Sequence, residues 1–96
     1  MRHPRPPAIP AGLESLLPAF VVDMRKDRAA LLSLAAEGGP ALAEMVHAMR
    51  GKCAMFGEDI LFRLLTALEQ GRPADPEILA AISDRVDELE RCGGSD

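Results

Sequence analysis

Glycine and proline divide this chain into four segments of helical length, and this division constrains the fold more than any other feature. The interruptions fall at Gly38-Gly39-Pro40, at Gly57 and at residues 71–73. Both residue types end helices readily, so the segments between them are expected to be separate helices. Short connections force consecutive helices to run in opposite directions. The sequence therefore predicts an all-α fold, an up-and-down antiparallel four-helix bundle with a short N-terminal capping segment.

Apolar residues recur at three- and four-residue intervals within each segment, as one buried helix face requires. The first helix is predicted over residues 13–37, where Pro18 either kinks it or separates a short capping helix from a longer one. The predicted core positions are Leu13, Leu17, Phe20, Met24, Leu31 and Leu34 in the first helix, Leu42, Met45, Met49, Cys53 and Phe56 in the second, Ile60, Leu61, Leu64, Leu65 and Leu68 in the third, and Ile78 or Leu79, Ile82, Val86 and Leu89 in the fourth.

The residues at the segment ends are typical of helix termini. Pro40 suits the first position of the second helix, because its missing N–H has no helical partner there. Glu58-Asp59 supplies capping and favourable charge for the third helix. Asp75 is expected to cap the fourth helix, with Pro76-Glu77 as its first turn. Gly93-Gly94 is expected to release the chain.

A chain of 96 residues makes one domain with a single core. It contains no Trp, no Tyr and three Phe, so the core must be aliphatic. Residues 1–10 include four prolines and are expected to form a flexible leader, in which a docking peptide is a less favoured alternative. The helical bundle is predicted over residues 11–92 and a polar tail over residues 93–96.

Composition also argues against several functions. Residues 72–96 carry three Arg and seven acidic residues, which account for the whole net charge of −4, and neither half has the basic stripe that nucleic acid requires. No apolar run is long enough to span a bilayer and the proline-rich start is unlike a signal peptide, so a cytoplasmic protein without a membrane partner is expected. Two cysteines, Cys53 and Cys92, do not make a disulfide framework. Together with His3 and His47 they also lack the spacing of metal ligands.

His47 lies on the second predicted helix and is expected to face water. At 100° of rotation per residue, the core residues of this helix fall within roughly 60° of one line, and His47 points the opposite way. Gly51 lies one turn further on, although a glycine inside a helix costs about 1 kcal/mol relative to alanine. Gly51 and the methyl group of Ala54 would let a second protein approach the imidazole, while Arg50 leans towards the ring and presents donors to an anion such as phosphate.

The sequence His47-x-x-Arg50-Gly51, followed after five residues by Gly57, resembles the signature of histidine phosphotransfer (Hpt) domains, with arginine in place of the family's lysine. Residues 18–27 are similar to the first core helix of some Hpt domains, although Arg28 follows where relatives tend to have an aliphatic residue. The resemblance implies a stand-alone phosphoryl carrier of a two-component phosphorelay. In this role, His47 accepts the phosphoryl group from a receiver-domain aspartate and passes it to another.

The resemblance also implies the partners, which are response-regulator receiver domains and a hybrid sensor histidine kinase. The receivers supply the acidic pocket and Mg²⁺, so the chain is expected to be a monomeric carrier without a cofactor of its own, and not an autonomous enzyme. The docking face is expected around His47, Gly51 and Ala54, with Val21 or Val22 of the first helix if exposed.

Three further residues are expected to support the site, and two of them, Glu44 and Lys52, have an ordinary alternative. Glu44 either orients the ring of His47 or is simply a solvated carboxylate. Lys52 is placed beside the core, and its ammonium either adds a second cation near the site or only covers a gap. Gly57 ends the helix, with Phe56 packed beneath it.

Other histidine-bearing helices fit less well. In the dimerisation domain of sensor kinases an acidic residue normally follows the histidine, whereas Ala48 follows here. The phosphoacceptor domain of chemotaxis kinases shares the motif, but such kinases continue far beyond it. A helical interaction module or adaptor in which His47 is incidental remains the alternative function.

Overall fold

The predicted all-α bundle is confirmed in a computed structural model, which describes residues 9–71 and 75–94. A 3-10 turn, Glu14–Leu16, precedes helices α1 (Leu17–Glu37), α2 (Pro40–Met55), α3 (Asp59–Gln70) and α4 (Pro76–Leu89), and a π-helical turn, Glu90–Gly94, extends α4. No β-strand occurs among the described residues. Helices α1 and α3 each pack against both α2 and α4, so the four helices form a closed antiparallel ring around one core.

Every helix contributes to this core, and most of the predicted core positions are buried or packed against it. The fully buried hydrophobic residues are Phe20, Val21, Met24, Leu31, Leu42, Val46, Met49, Cys53, Leu61, Leu65, Leu68, Ile82, Val86 and Leu89. Two of them, Val21 and Val46, were not predicted to belong to the core. Phe56 is only partly buried, but its ring stacks on that of Phe20 with 4.5 Å between the centroids, which closes the core near the end of α2.

The helix ends follow the predicted signals closely. Pro18 is the second residue of α1, so it marks the junction with the preceding 3-10 turn and does not kink a longer helix. Pro40 is the first residue of α2, as predicted. The carboxylate of Asp75 accepts hydrogen bonds from the backbone N–H of Glu77 (2.9 Å) and of Ile78 (3.4 Å), which confirms the predicted cap. Gly57 takes a φ of 68°, which favours glycine, in the turn between α2 and α3.

The structure differs from the sequence-based expectation at the start of α3, where the capping residue is buried. Glu58 does cap this helix, since its Oε2 accepts a hydrogen bond from the N–H of Leu61 (3.0 Å). It is also completely buried, and it forms a bidentate ion pair with Arg85 of α4 through contacts of 2.9 and 2.6 Å. Arg85 had no predicted role, because a charged residue beside a predicted core stripe is normally exposed.

Arg28 is held on the face where α1 meets α4. Its Nη1 donates hydrogen bonds to the backbone carbonyl of Ser83 (3.0 Å) and to Oδ1 of Asp87 (2.5 Å), and Glu90 lies within ion-pair distance of its Nη2. Arg28 therefore joins α1 to α4 through ion pairs and hydrogen bonds. The family that this sequence resembles tends to have an aliphatic residue at this position.

Parts of three predictions lie outside the described residues. These are residues 1–8 of the predicted leader, including His3, Pro73 at the end of the third segment, and residues 95–96 of the predicted tail. The π-helical turn includes Gly93-Gly94, which the sequence assigned to the tail. Among the described helices, none combines the length and apolar character that crossing a membrane would require.

Candidate functional site

His47 is exposed on the outer face of α2, as its position in the helical repeat predicted. Its neighbours Val46 and Met49 point into the core and fix the rotation of the helix, which leaves the imidazole facing away from the bundle. A small groove of about 190 Å³ lies beside the ring, lined by the four α2 residues His47, Arg50, Gly51 and Ala54 and by Phe62 of α3. The structure thus brings together four residues that the sequence had grouped.

Gly51 provides open space in this groove. A Cβ atom built on Gly51 would meet nothing within 4 Å, so neither packing nor a close backbone approach within the protein requires glycine there. Because glycine inside a helix is unfavourable, internal stability does not explain this residue. Gly51 and Ala54 are both exposed and leave the surface next to His47 low.

Arg50 lies in the groove but leans towards α3, whereas the sequence had placed it against the ring of His47. Its Nη1 donates a hydrogen bond to Oε1 of Glu69, and its guanidinium carbon lies 5.0 Å from the centre of the Phe62 ring. Its Nε is buried and finds no acceptor among the described residues. The cation that the sequence associated with His47 is therefore already engaged by a neighbouring helix.

Lys52 points to the opposite side of α2, where its Nζ donates a hydrogen bond of 2.9 Å to Oδ2 of Asp27 on α1. This hydrogen bond raises the pKa of Lys52, because the carboxylate of Asp27 favours the charged ammonium. The structure therefore does not bring Lys52 into the groove as a second cation. Instead, Lys52 joins α2 to α1.

The other predicted site residues lie near the groove or apart from it. Glu44 is exposed on α2, and no hydrogen bond joins it to His47. Val21 is buried in the core, so it does not meet the condition of exposure under which Val21 or Val22 was expected on the docking face. Val22 is 41% exposed, but it lines a separate surface with Arg25 and Leu32 on α1.

A comparison with protein-family models decides the classification, because a model described as Hpt domain matches residues 15–92, which is most of the chain. The chain belongs to the Hpt-domain family. Neither the curated proteins nor the solved structures include a match to it. Hpt domains are helical bundles that take part in histidine phosphotransfer, and they interact with receiver domains and kinases.

In this Hpt domain, two residues of α3 that the sequence analysis did not assign to the site, Phe62 and Glu69, lie at the groove or contact a residue that lines it. Phe62 forms one wall, and Glu69 holds Arg50. They lie seven residues apart, so they share one stripe of α3, but the repeat does not tell which non-core stripe faces α2. Within the part of the Hpt domain that the structure describes, no cluster of three or more His, Cys, Asp or Glu side chains is arranged to hold a metal ion.

Proposed function

We propose that this Hpt domain carries a phosphoryl group on His47 between receiver-domain aspartates of a two-component phosphorelay. The observation that supports this most directly is an exposed imidazole on the flank of a helical bundle, with a cation three residues away and bare backbone one turn away. Membership of the Hpt family adds independent support.

The transfer needs little from this chain beyond presentation of the ring. The nucleophile is a neutral imidazole nitrogen, and the proposal invokes no built-in base. One ring nitrogen, Nε2 by analogy with the family, attacks the phosphorus of the aspartyl phosphate. A P–N bond forms, the P–O bond breaks, and the aspartate leaves as a carboxylate. Reversal of this step on a second receiver passes the phosphoryl group on.

Arg50 and Gly51 have different roles in this proposal. The guanidinium of Arg50 offsets the charge of the phosphoryl group with a planar fork of donors. Gly51 keeps the surface low, so that a receiver can bring its aspartate up to the ring. The Mg²⁺ that phosphoryl transfer requires would be held by the acidic pocket of the receiver, and the chain would act as a carrier with no cofactor of its own.

The partners follow from this chemistry. We expect receiver domains of response regulators to dock on the face of α2 and α3 that surrounds the groove, with a hybrid sensor kinase as the source of phosphate. The carrier is proposed to act as a monomer, since one exposed histidine is sufficient for each transfer.

A panel transfer assay tests the proposal. The wild-type protein and His47→Gln would be incubated with phosphorylated receiver domains from the same genome, and acid-labile phosphate on the carrier would be measured. His3→Gln is the matched control, because it removes the other histidine of the chain. We expect label on the wild type and on His3→Gln but none on His47→Gln. Arg50→Lys should transfer almost normally, and Arg50→Ala about 10- to 100-fold more slowly, as loss of a charge-assisted hydrogen bond implies.

The competing function is a helical adaptor in which His47 is incidental. Under that alternative, receivers would bind the wild type and His47→Gln equally well and neither protein would acquire acid-labile phosphate. Unaltered labelling of His47→Gln would also refute the proposed role of this residue.

A further inference from the structure

Arg50 is engaged before any phosphoryl group reaches His47. Its guanidinium donates to Glu69 and lies over the face of Phe62, and its side chain is only 25% exposed. Both partners belong to α3, whereas His47 belongs to α2. In the unphosphorylated protein, the guanidinium of Arg50 is therefore held against α3, away from His47.

In this position Arg50 does not make all of its possible hydrogen bonds. Its buried Nε has no acceptor among the described residues, and a buried donor without an acceptor is unfavourable. A phosphoryl group offers three acceptor oxygens, which match the fork of a guanidinium better than one carboxylate oxygen does. Residues i and i+3 of a helix are neighbours on its surface, so Arg50 can reach a group on His47 by rotating its side chain.

We propose that Glu69 is a positioning residue for the phosphoryl group on His47, because it holds Arg50 on α3 in the unphosphorylated protein and releases it when His47 is phosphorylated. This inference rests on the proposed function of His47. It adds an internal competitor to the site, so the strength of the Arg50–Glu69 ion pair determines how strongly Arg50 engages the phosphoryl group.

The direction of the effect follows from the competition. The Arg50–Glu69 ion pair stabilises only the form in which His47 is unmodified, since Arg50 leaves Glu69 to contact the phosphoryl group. Removing the charge of Glu69 therefore strengthens the contact between Arg50 and the phosphoryl group. The side chains of Arg50 and Glu69 are 25% and 38% exposed, and the free energy of such an exposed ion pair corresponds to about a two- to fivefold change in an equilibrium constant.

The test uses phosphoramidate, which requires no partner protein. Nε2 of His47 attacks its phosphorus, the P–N bond to the amide nitrogen breaks, and ammonia leaves. The proton affinity of the resulting phosphoryl group is then read from the pH dependence of its ³¹P chemical shift. A cation in contact with this group favours its dianion and lowers its proton affinity. We expect Glu69→Gln to lower this proton affinity about two- to fivefold relative to the wild type, and Arg50→Ala to raise it.

Two controls separate competition for Arg50 from a general effect of charge. Asp84→Asn removes one negative charge from the exposed face of α4, across the core from α2, and should leave the titration unchanged. The double variant Arg50→Ala with Glu69→Gln should titrate within about 1.5-fold of Arg50→Ala, because no cation remains to be released. A full effect of Glu69→Gln in the Arg50→Ala background would show direct repulsion by Glu69 and overturn the proposal.

The outcomes for this inference and for the proposed function are distinct. If phosphoramidate labels His47 but Glu69→Gln titrates like the wild type, the positioning role fails and the carrier function is unaffected. If phosphoramidate labels His47 and Glu69→Gln shifts the titration as expected, but no receiver accepts the phosphoryl group, the relay function fails while the role of Glu69 stands. If His47 takes no phosphoryl group at all, both are refuted.

Discussion

At the scale of single residues, the groove beside His47 is marked by a missing side chain at Gly51. Gly51 lies inside α2, where it weakens the helix, and the structure has open space for a Cβ atom at this position. The protein therefore gives up helix stability at the residue nearest to His47 on the next turn. Such a loss is expected where a partner must approach closely.

Substitutions at Gly51 should separate stability from transfer. Gly51→Ala should raise the free energy of unfolding by about 0.5–1 kcal/mol, because it reduces the freedom of the unfolded chain and meets no clash. Gly51→Leu should slow transfer from a receiver more than it slows labelling by phosphoramidate, since only the receiver needs the low surface. Urea denaturation and transfer assays measure the two effects. Ala36→Leu, at an exposed position of α1, is the control for bulk; equal slowing by both leucine variants would contradict the role of Gly51.

At the scale of the elements, one buried ion pair joins the start of α3 to α4. Burial alone lowers the pKa of Arg85, but its hydrogen bonds to Glu58 and Glu88 outweigh this effect, so that the pKa is raised and the guanidinium stays charged. Glu58 also caps α3. The carboxylate of Glu58 therefore both caps the start of α3 and neutralises a buried cation on α4. These two contacts fix the position of α3, which forms one wall of the groove.

Removal of one partner of this pair should be far more damaging than removal of both charges. Glu58→Gln can still cap α3, but it removes the buried counter-ion of Arg85 and leaves only the ion pair with Glu88, so it should lower the free energy of unfolding by about 3 kcal/mol. The double variant Glu58→Gln with Arg85→Met should recover most of that loss. Urea denaturation measures both. Asp59→Asn, at the neighbouring exposed carboxylate, should change stability by less than about 0.5 kcal/mol; a similarly small effect of Glu58→Gln would show that the buried ion pair contributes little.

At the scale of the whole molecule, the two cysteines differ in how far the helical bundle must open before a reagent reaches them. Cys53 is completely buried, and burial, followed by the charges of Glu58 and Asp27, raises its pKa to about 12. Cys92 lies partly exposed in the terminal π-helical turn. A thiol reagent should therefore reach Cys92 in the folded protein and Cys53 only when the bundle opens.

This difference can be measured with Ellman's reagent. The variant Cys92→Ser keeps only Cys53, and the variant Cys53→Ser keeps only Cys92. Cys53 should react on the order of 100-fold more slowly than Cys92. Added urea should accelerate the reaction of Cys53 in step with the fall in the free energy of unfolding. Equal rates for the two variants in the absence of urea would mean that the bundle does not protect its core.

The sequence predicted the bundle well because its signals are local. The Pro and Gly breaks, the Asp75 cap and the helical repeat each involve residues close in the chain, and together they defined the helices and the exposed face of His47. The structure was needed for pairs of residues distant in the chain. The contact of Arg50 with Glu69 and that of Glu58 with Arg85 depend on the rotation of neighbouring helices, which no local pattern specifies. Which of Val21 and Val22 is exposed likewise depends on how α1 packs against its neighbours.

The tight turn at Gly57 has a consequence for the order of folding. Both walls of the groove come from one continuous hairpin, residues 40–70, so their contacts close only a short loop of chain. Short loops lose little conformational entropy, and contacts of low sequence separation form early. We expect the histidine-bearing surface to be assembled as a nucleus before the first and last helices close over its apolar side.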